Sequence, residues 1–172
     1  MNMIEAIKSV FSKYATFKGR ARRSEYWYFV LFTVICSVLI SCLSLVAPSA
    51  GTVLNGLFTL AILIPAYAVE TRRLHDVGRS GWLIVAKLVL GIASLVCLFA
   101  GIGLGNMMNA MNGQPVDGSS VNVGLSISGL TLMALYFLLG LYIFVLTLFD
   151  SKLGDNQYGP SPKDDSALAE QL

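Results

Sequence analysis

The sequence predicts an all-α membrane protein with four transmembrane helices arranged as two antiparallel hairpins, preceded by an N-terminal amphipathic helix lying in the membrane interface. Three observations predict it. The 172 residues are 55% hydrophobic and 13% charged, with a mean hydropathy of +0.70, far from the mixture of a soluble domain. The apolar residues fall into four runs of span length, separated by polar or turn-forming segments. Of the 12 Lys and Arg residues, all but Lys87 lie in the N-terminal segment, a central connector or the C-terminal tail. The net charge of +2 is too small to point to nucleic acid, and no such partner is expected.

Residues 1–25 form the first segment, where Ile4, Ile7, Phe11 and Tyr14 recur at helical spacing with Lys8, Lys13 and Lys18 between them. This is a basic amphipathic helix, suited to lie among lipid headgroups or to pack on the rest of the protein. The membrane domain is expected over 26–149, with spans at about 26–46, 52–69, 82–102 and 125–149. Span one carries no charge, measures about 31 Å as a helix, and opens on Tyr26, Trp27 and Tyr28, an aromatic belt. Its long basic lead and long apolar run argue against a cleaved signal peptide. The same distance from the N-terminus argues against reading Leu39, Ile40, Ser41 and Cys42 as a lipidation box. Cys36, Cys42 and Cys97 have no paired spacing and read as small buried hydrophobes.

Ala47, Pro48, Ser49, Ala50 and Gly51 mark a turn too short for anything but antiparallel neighbours. Span two contains Asn55 and, near its far end, Pro65, which removes a helical hydrogen bond. The water-facing connector 70–82 then gathers Glu70, Arg72, Arg73, His75, Asp76 and Arg79 before Trp82 opens span three. Lys87, five residues past Trp82, is shallow enough to snorkel or to form an ion pair. Residues 103–124, rich in Met, Asn and Gly with Asp117 as their one acid, read as an irregular loop. The tail 150–172 is polar, and mostly disordered beyond 162. Retention of Lys and Arg on the cytoplasmic side places both termini and the connector there.

The two halves echo one another weakly. Gly19, Arg20, Ser24 and Trp27 precede span one as Gly78, Arg79, Ser80 and Trp82 precede span three; Glu70, Thr71, Arg72 and Asp76 follow span two as Asp150, Ser151, Lys152 and Asp155 follow span four. Parallel repeats would bring Arg20, Arg79, Asp76 and Asp155 to one cytoplasmic mouth.

Three motifs lie in order at the ends of the spans: Gly19, Arg20, Arg22, Arg23, Glu25 and Trp27; Arg72, Arg73, His75, Asp76, Gly78, Arg79 and Trp82; and Asp155, Asn156, Tyr158, Gly159 and Pro160. Over 17–162 they resemble the bacterial inner-membrane family called domain of unknown function 805, the YhaH-like proteins. The resemblance implies a multi-span inner-membrane protein and no particular chemistry.

The candidate cluster is Arg20, Arg22, Arg23, Glu25, Arg72, Arg73, His75, Asp76, Arg79, Asp150 and Asp155, with Trp27 and Trp82 as interfacial anchors. Guanidinium and carboxylate groups make bidentate, charge-assisted pairs, so a structural clasp is the first expectation. The alternative is an anionic lipid or lipid-linked substrate bound by the same arginines. A small transporter or channel is a second alternative, disfavoured because the spans hold no mid-membrane acid or His. No enzyme is expected: His75 is the one histidine, and GxSxG, HExxH, Walker and CxxC patterns are missing. No metal site and no cofactor are called for, although Asp76, Asp150 and Asp155 are the carboxylates a divalent cation would use. The expected partners are membrane lipids, anionic ones among them, and a second copy packing through small residues such as Ser37 and Ser41.

Overall fold

A computed structural model describes residues 1–152 and 154–162. The expected disorder beyond 162 falls outside the described residues. The chain is helical, with no strand among the described residues: α1 (Met3–Ser12), α2 (Arg23–Val46), α3 (Pro48–Asp76), α4 (Trp82–Ile102), α5 (Leu104–Met111) and α6 (Val123–Leu148), with a 3-10 turn at Gly118–Ser120. Of these, α2, α3, α4 and α6 are long and apolar enough to cross a membrane. The chain divides into two compact units. One is Met1–Gly81 with the described part of Val145–Leu172, and the other is Trp82–Phe144.

In the first unit, α1 begins at a capping box. The Asn2 side chain accepts the Glu5 N–H at 2.9 Å, and the Glu5 carboxylate accepts the Asn2 N–H at 3.0 Å. Its Ala6 and Val10 are sealed from solvent, and Val10 joins Ala21, Phe29 and Val69 in a small core. Phe11 meets Phe29 and Phe32 edge to face, with centroids 5.9 and 6.2 Å apart. Helices α2 and α3 are separated by Ala47 alone and pack along one another. At the turn, Gly51 stands so close to Ser44 that a Cβ would lie 2.1 Å from its Oγ.

Pro48 starts α3 in the first turn, where a missing N–H costs nothing. Pro65, inside the same helix, has no N–H to give the Ala61 carbonyl four residues back. The Tyr14 hydroxyl supplies one instead, donating to that oxygen at 2.6 Å.

Two expectations need correction. The connector is not simply water-facing: α3 runs on to Asp76, with Thr71, Arg72, Arg73, Leu74 and Asp76 buried. Charge alone reads as exposure, but here each buried charge has a partner, as described below. Nor are residues 103–124 wholly irregular, since α5 and the 3-10 turn lie within them. Gly103, at φ +82°, ends α4 and lets α5 start at the next residue. Asn106 then pins the segment: its amide donates to the Ile102 carbonyl, the Asp117 carbonyl and Ser120 Oγ at 3.0, 3.1 and 2.8 Å, and its oxygen accepts the Asp117 N–H.

In the second unit, α4 and α6 approach closely at small residues. A Cβ on Gly129 would meet Leu98 at 2.7 Å, and one on Gly101 would meet Ser126 at 2.6 Å.

Candidate functional site

The polar residues of the first unit converge where α3 ends. Asp76 is 0% exposed. One of its carboxylate oxygens accepts Arg20 Nε at 3.0 Å; the other accepts Arg73 Nη1 and Ser151 Oγ. Two guanidiniums around one carboxylate leave a surplus positive charge, and backbone carbonyls take it up. Arg20 donates to the carbonyls of Gly154 at 2.8 Å, Gly159 at 3.3 Å, and Lys152. Arg73 donates to those of Thr147 and Ala21, each at 3.4 Å, and Phe149. Thr147 and Phe149 bracket the last residue of α6, so Arg73 caps that helix where its dipole is negative.

A second buried pair lies beside the first. Arg72, 1% exposed, donates through Nη1 to Glu25 at 3.1 Å, and Ser9 of α1 donates to the same oxygen at 3.1 Å. Arg72 Nη2 is buried without a hydrogen-bond acceptor among the described residues. Burial of these ions is costly, which is why almost every remaining donor is matched to a carbonyl.

The tail is tied in by His75. Its ring stacks on Tyr158 with centroids 3.8 Å apart and planes 4° from parallel, and Nδ1 lies 3.2 Å from the Gly19 carbonyl. Asn156 donates to the His75 carbonyl at 3.0 Å, and Asn156 with Gly159 closes a small turn through paired backbone bonds. Arg22 donates to the Pro162 carbonyl.

Of the nominated cluster, Arg20, Arg73 and Asp76 form one network, Arg72 and Glu25 a second, and His75 and Arg22 hold the tail. Arg23, Arg79, Asp150 and Asp155 are exposed; among them Arg23 and Asp150 bear on Arg73 through their charge. Asp76, Asp150 and Asp155 do not gather into a three-ligand metal group among the described residues. Trp27 donates from Nε1 to the Thr147 carbonyl at 3.4 Å, whereas Trp82 is 76% exposed. Of the four residues the repeat would unite, Arg20 and Asp76 pair directly; Arg79 and Asp155 remain on the surface. Sequence reasoning passed over Ser151, Tyr158 and Ser9 as site residues. Ser151 matches Thr71 in the repeat, and Tyr158 lies in the third motif, so both had a signal; Ser9 had none.

Fold and site together define a multi-pass helical membrane protein with a buried arginine and carboxylate network at the end of its second long helix. The chain belongs to the family described as "Protein of unknown function (DUF805)", which matches residues 14–160. Among curated relatives, it is 42% identical over 73 residues to the inner membrane protein YhaI of Escherichia coli (strain K12), covering 42% of this chain and 62% of that protein. It is 34% identical over 93 residues to the inner membrane protein YhaH of the same organism, covering 52% of this chain and 77% of that one. The match thus spans less than two thirds of YhaI. No solved structure matches the chain.

Proposed function

We propose that this chain is a small structural or interaction protein of the bacterial inner membrane, without enzymatic activity, whose Arg/Asp cluster acts as a cytoplasmic clasp. The inner-membrane placement rests on its relatives, and the orientation on the one-sided Lys and Arg distribution. In this reading the four long helices cross as two antiparallel hairpins. Helix α1 and the segment that follows it lie in the headgroup layer, with Ile4 and Phe11 of the helix and Phe17 beyond it exposed toward lipid among Lys8, Lys13 and Lys18. The observation that carries the clasp is the closure of Asp76: no carboxylate oxygen is left over, and its partners come from before α2, from α3 and from beyond α6. A carboxylate meant to exchange ligand would keep an acceptor oxygen in reserve.

Asp76→Asn tests it by keeping the shape and removing the charge. The variant strands two buried guanidiniums and should lose about 3–5 kcal/mol of stability, read as a lower thermal midpoint in mild detergent. Lipid retained on native mass spectrometry should not change. An unchanged midpoint together with lost lipid would instead make the cluster a binding site.

A further inference from the structure

Beside the clasp lies a cleft of about 470 Å³ whose cationic side chains the clasp does not use. Val77, Leu146 and Phe149 wall its apolar side; Arg79, Asp150 and Lys152 wall its polar side. Arg79 and Lys152 are exposed, and the side chain of neither makes an ion pair or hydrogen bond among the described residues. The arginines around Asp76 and Glu25 are the contrast, each matched to a carboxylate. Asp150 is the cleft's one carboxylate, and it is already engaged, accepting the Ser151 N–H at 2.9 Å among its contacts. Two cations therefore face one acid.

The backbone is shaped to bring the cations together. Gly78 has φ +73°, and a Cβ there would stand 2.8 Å from Lys152 Nζ. Lacking one, Gly78 lets the amine lie over the chain immediately before Arg79. The cleft is also placed at a particular level: Val77 follows the last residue of α3, and Phe149 the last residue of α6. Helix α6 is apolar up to its last residue, Leu148, and where an apolar helix ends is where lipid phosphates lie, with acyl chains on one side and water on the other.

We propose that this cleft binds the phosphate of an anionic phospholipid, with the Arg79 fork and the Lys152 ammonium as its ligands and the glycerol and upper acyl carbons against Leu146 and Phe149. A phosphate between them relieves the repulsion of the two cations. The guanidinium offers paired donors and the ammonium a point charge, which suits a tetrahedral anion approached from two sides. A soluble phosphate would use the same cations but gain nothing from the apolar wall.

The test uses the full chain and native mass spectrometry from mild detergent, with phosphatidylglycerol and phosphatidylcholine of matched chains as probes. The wild type should retain phosphatidylglycerol preferentially. Arg79→Gln and Lys152→Gln should each cut that retention roughly fivefold, the size expected for one basic residue near an anionic surface, without lowering the thermal midpoint. The charge-keeping pair Arg79→Lys with Lys152→Arg should restore it. Equal retention of both lipids, or unchanged retention in the double Gln variant, overturns the proposal. So does loss of bound phosphatidylglycerol to millimolar inorganic phosphate, which would mark a site for soluble anions. A double variant that changes only the subunit count overturns it in favour of a second copy. Failure of the clasp would show at Asp76→Asn in the midpoint, failure of the cleft at Arg79 and Lys152 in retention, so the two are separable.

Discussion

Tyr14 and Pro65 lie far apart in sequence, yet each accounts for the other. A proline inside a long helix leaves one carbonyl without its donor, and the Tyr14 hydroxyl fills that place on Ala61 at 2.6 Å. Tyr14→Phe should therefore cost about 0.5–1.5 kcal/mol by thermal or denaturant unfolding in detergent. In a Pro65→Ala background, where residue 65 regains an N–H for Ala61, the same change should cost close to nothing. Equal costs in both backgrounds would mean that the hydroxyl serves some other group. At this scale the sequence was legible where charge stood out. The arginines and acids around Asp76 were visible because they stand at the ends of long runs that carry almost no charge. Tyr14 and Ser9 were not, because an aromatic on an amphipathic face and a lone serine are ordinary residues whose partners are set by tertiary approach.

Among the glycines at helix contacts, the tightest approach is at the turn from α2 to α3. A methyl on Gly51 would stand 2.1 Å from Ser44 Oγ and 2.6 Å from its Cα, a backbone atom that cannot swing aside. Gly51→Ala should thus destabilise by about 1–3 kcal/mol through overpacking. Gly56, on the same helix, has open space around it, with no neighbour within 4 Å of the place a methyl would take. There the same substitution should be neutral or stabilise by up to about 1 kcal/mol, since alanine is the better helix former. Unfolding of the two variants side by side checks both. The existence of the long helices was plain from runs without charge. The extent of α3 was not, because six ionisable residues between 70 and 79 look like a solvated link until their pairing is known. Helix α5 was hidden by its glycines, which usually punctuate loops; here Gly103 marks the junction with α4, and Gly105 lies within the helix.

For the whole molecule, the asymmetry of Lys and Arg makes a definite expectation. A reporter active in the cytoplasm should work when fused after Leu172, and a thiol introduced at Gly113 should react with a label that cannot enter the cell. A periplasmic tail or a protected Gly113 would reverse the orientation and put Arg79 and Lys152 at the wrong leaflet. The architecture as four apolar helices could be read from composition and run length; the closure of its polar end could not, because that depends on residues more than a hundred positions apart meeting at one carboxylate.

That separation has a consequence for biosynthesis. Ser151 and the carbonyls of Phe149, Lys152, Gly154 and Gly159 leave the ribosome after all four long helices have been made, whereas Asp76 and Arg73 have by then waited through half of translation. Until those last residues arrive, the lock lacks its bolt. A chain that stalls early therefore carries an unfinished ionic knot, with Asp76 short of its Ser151 hydroxyl and Arg73 and Arg20 short of their carbonyl acceptors.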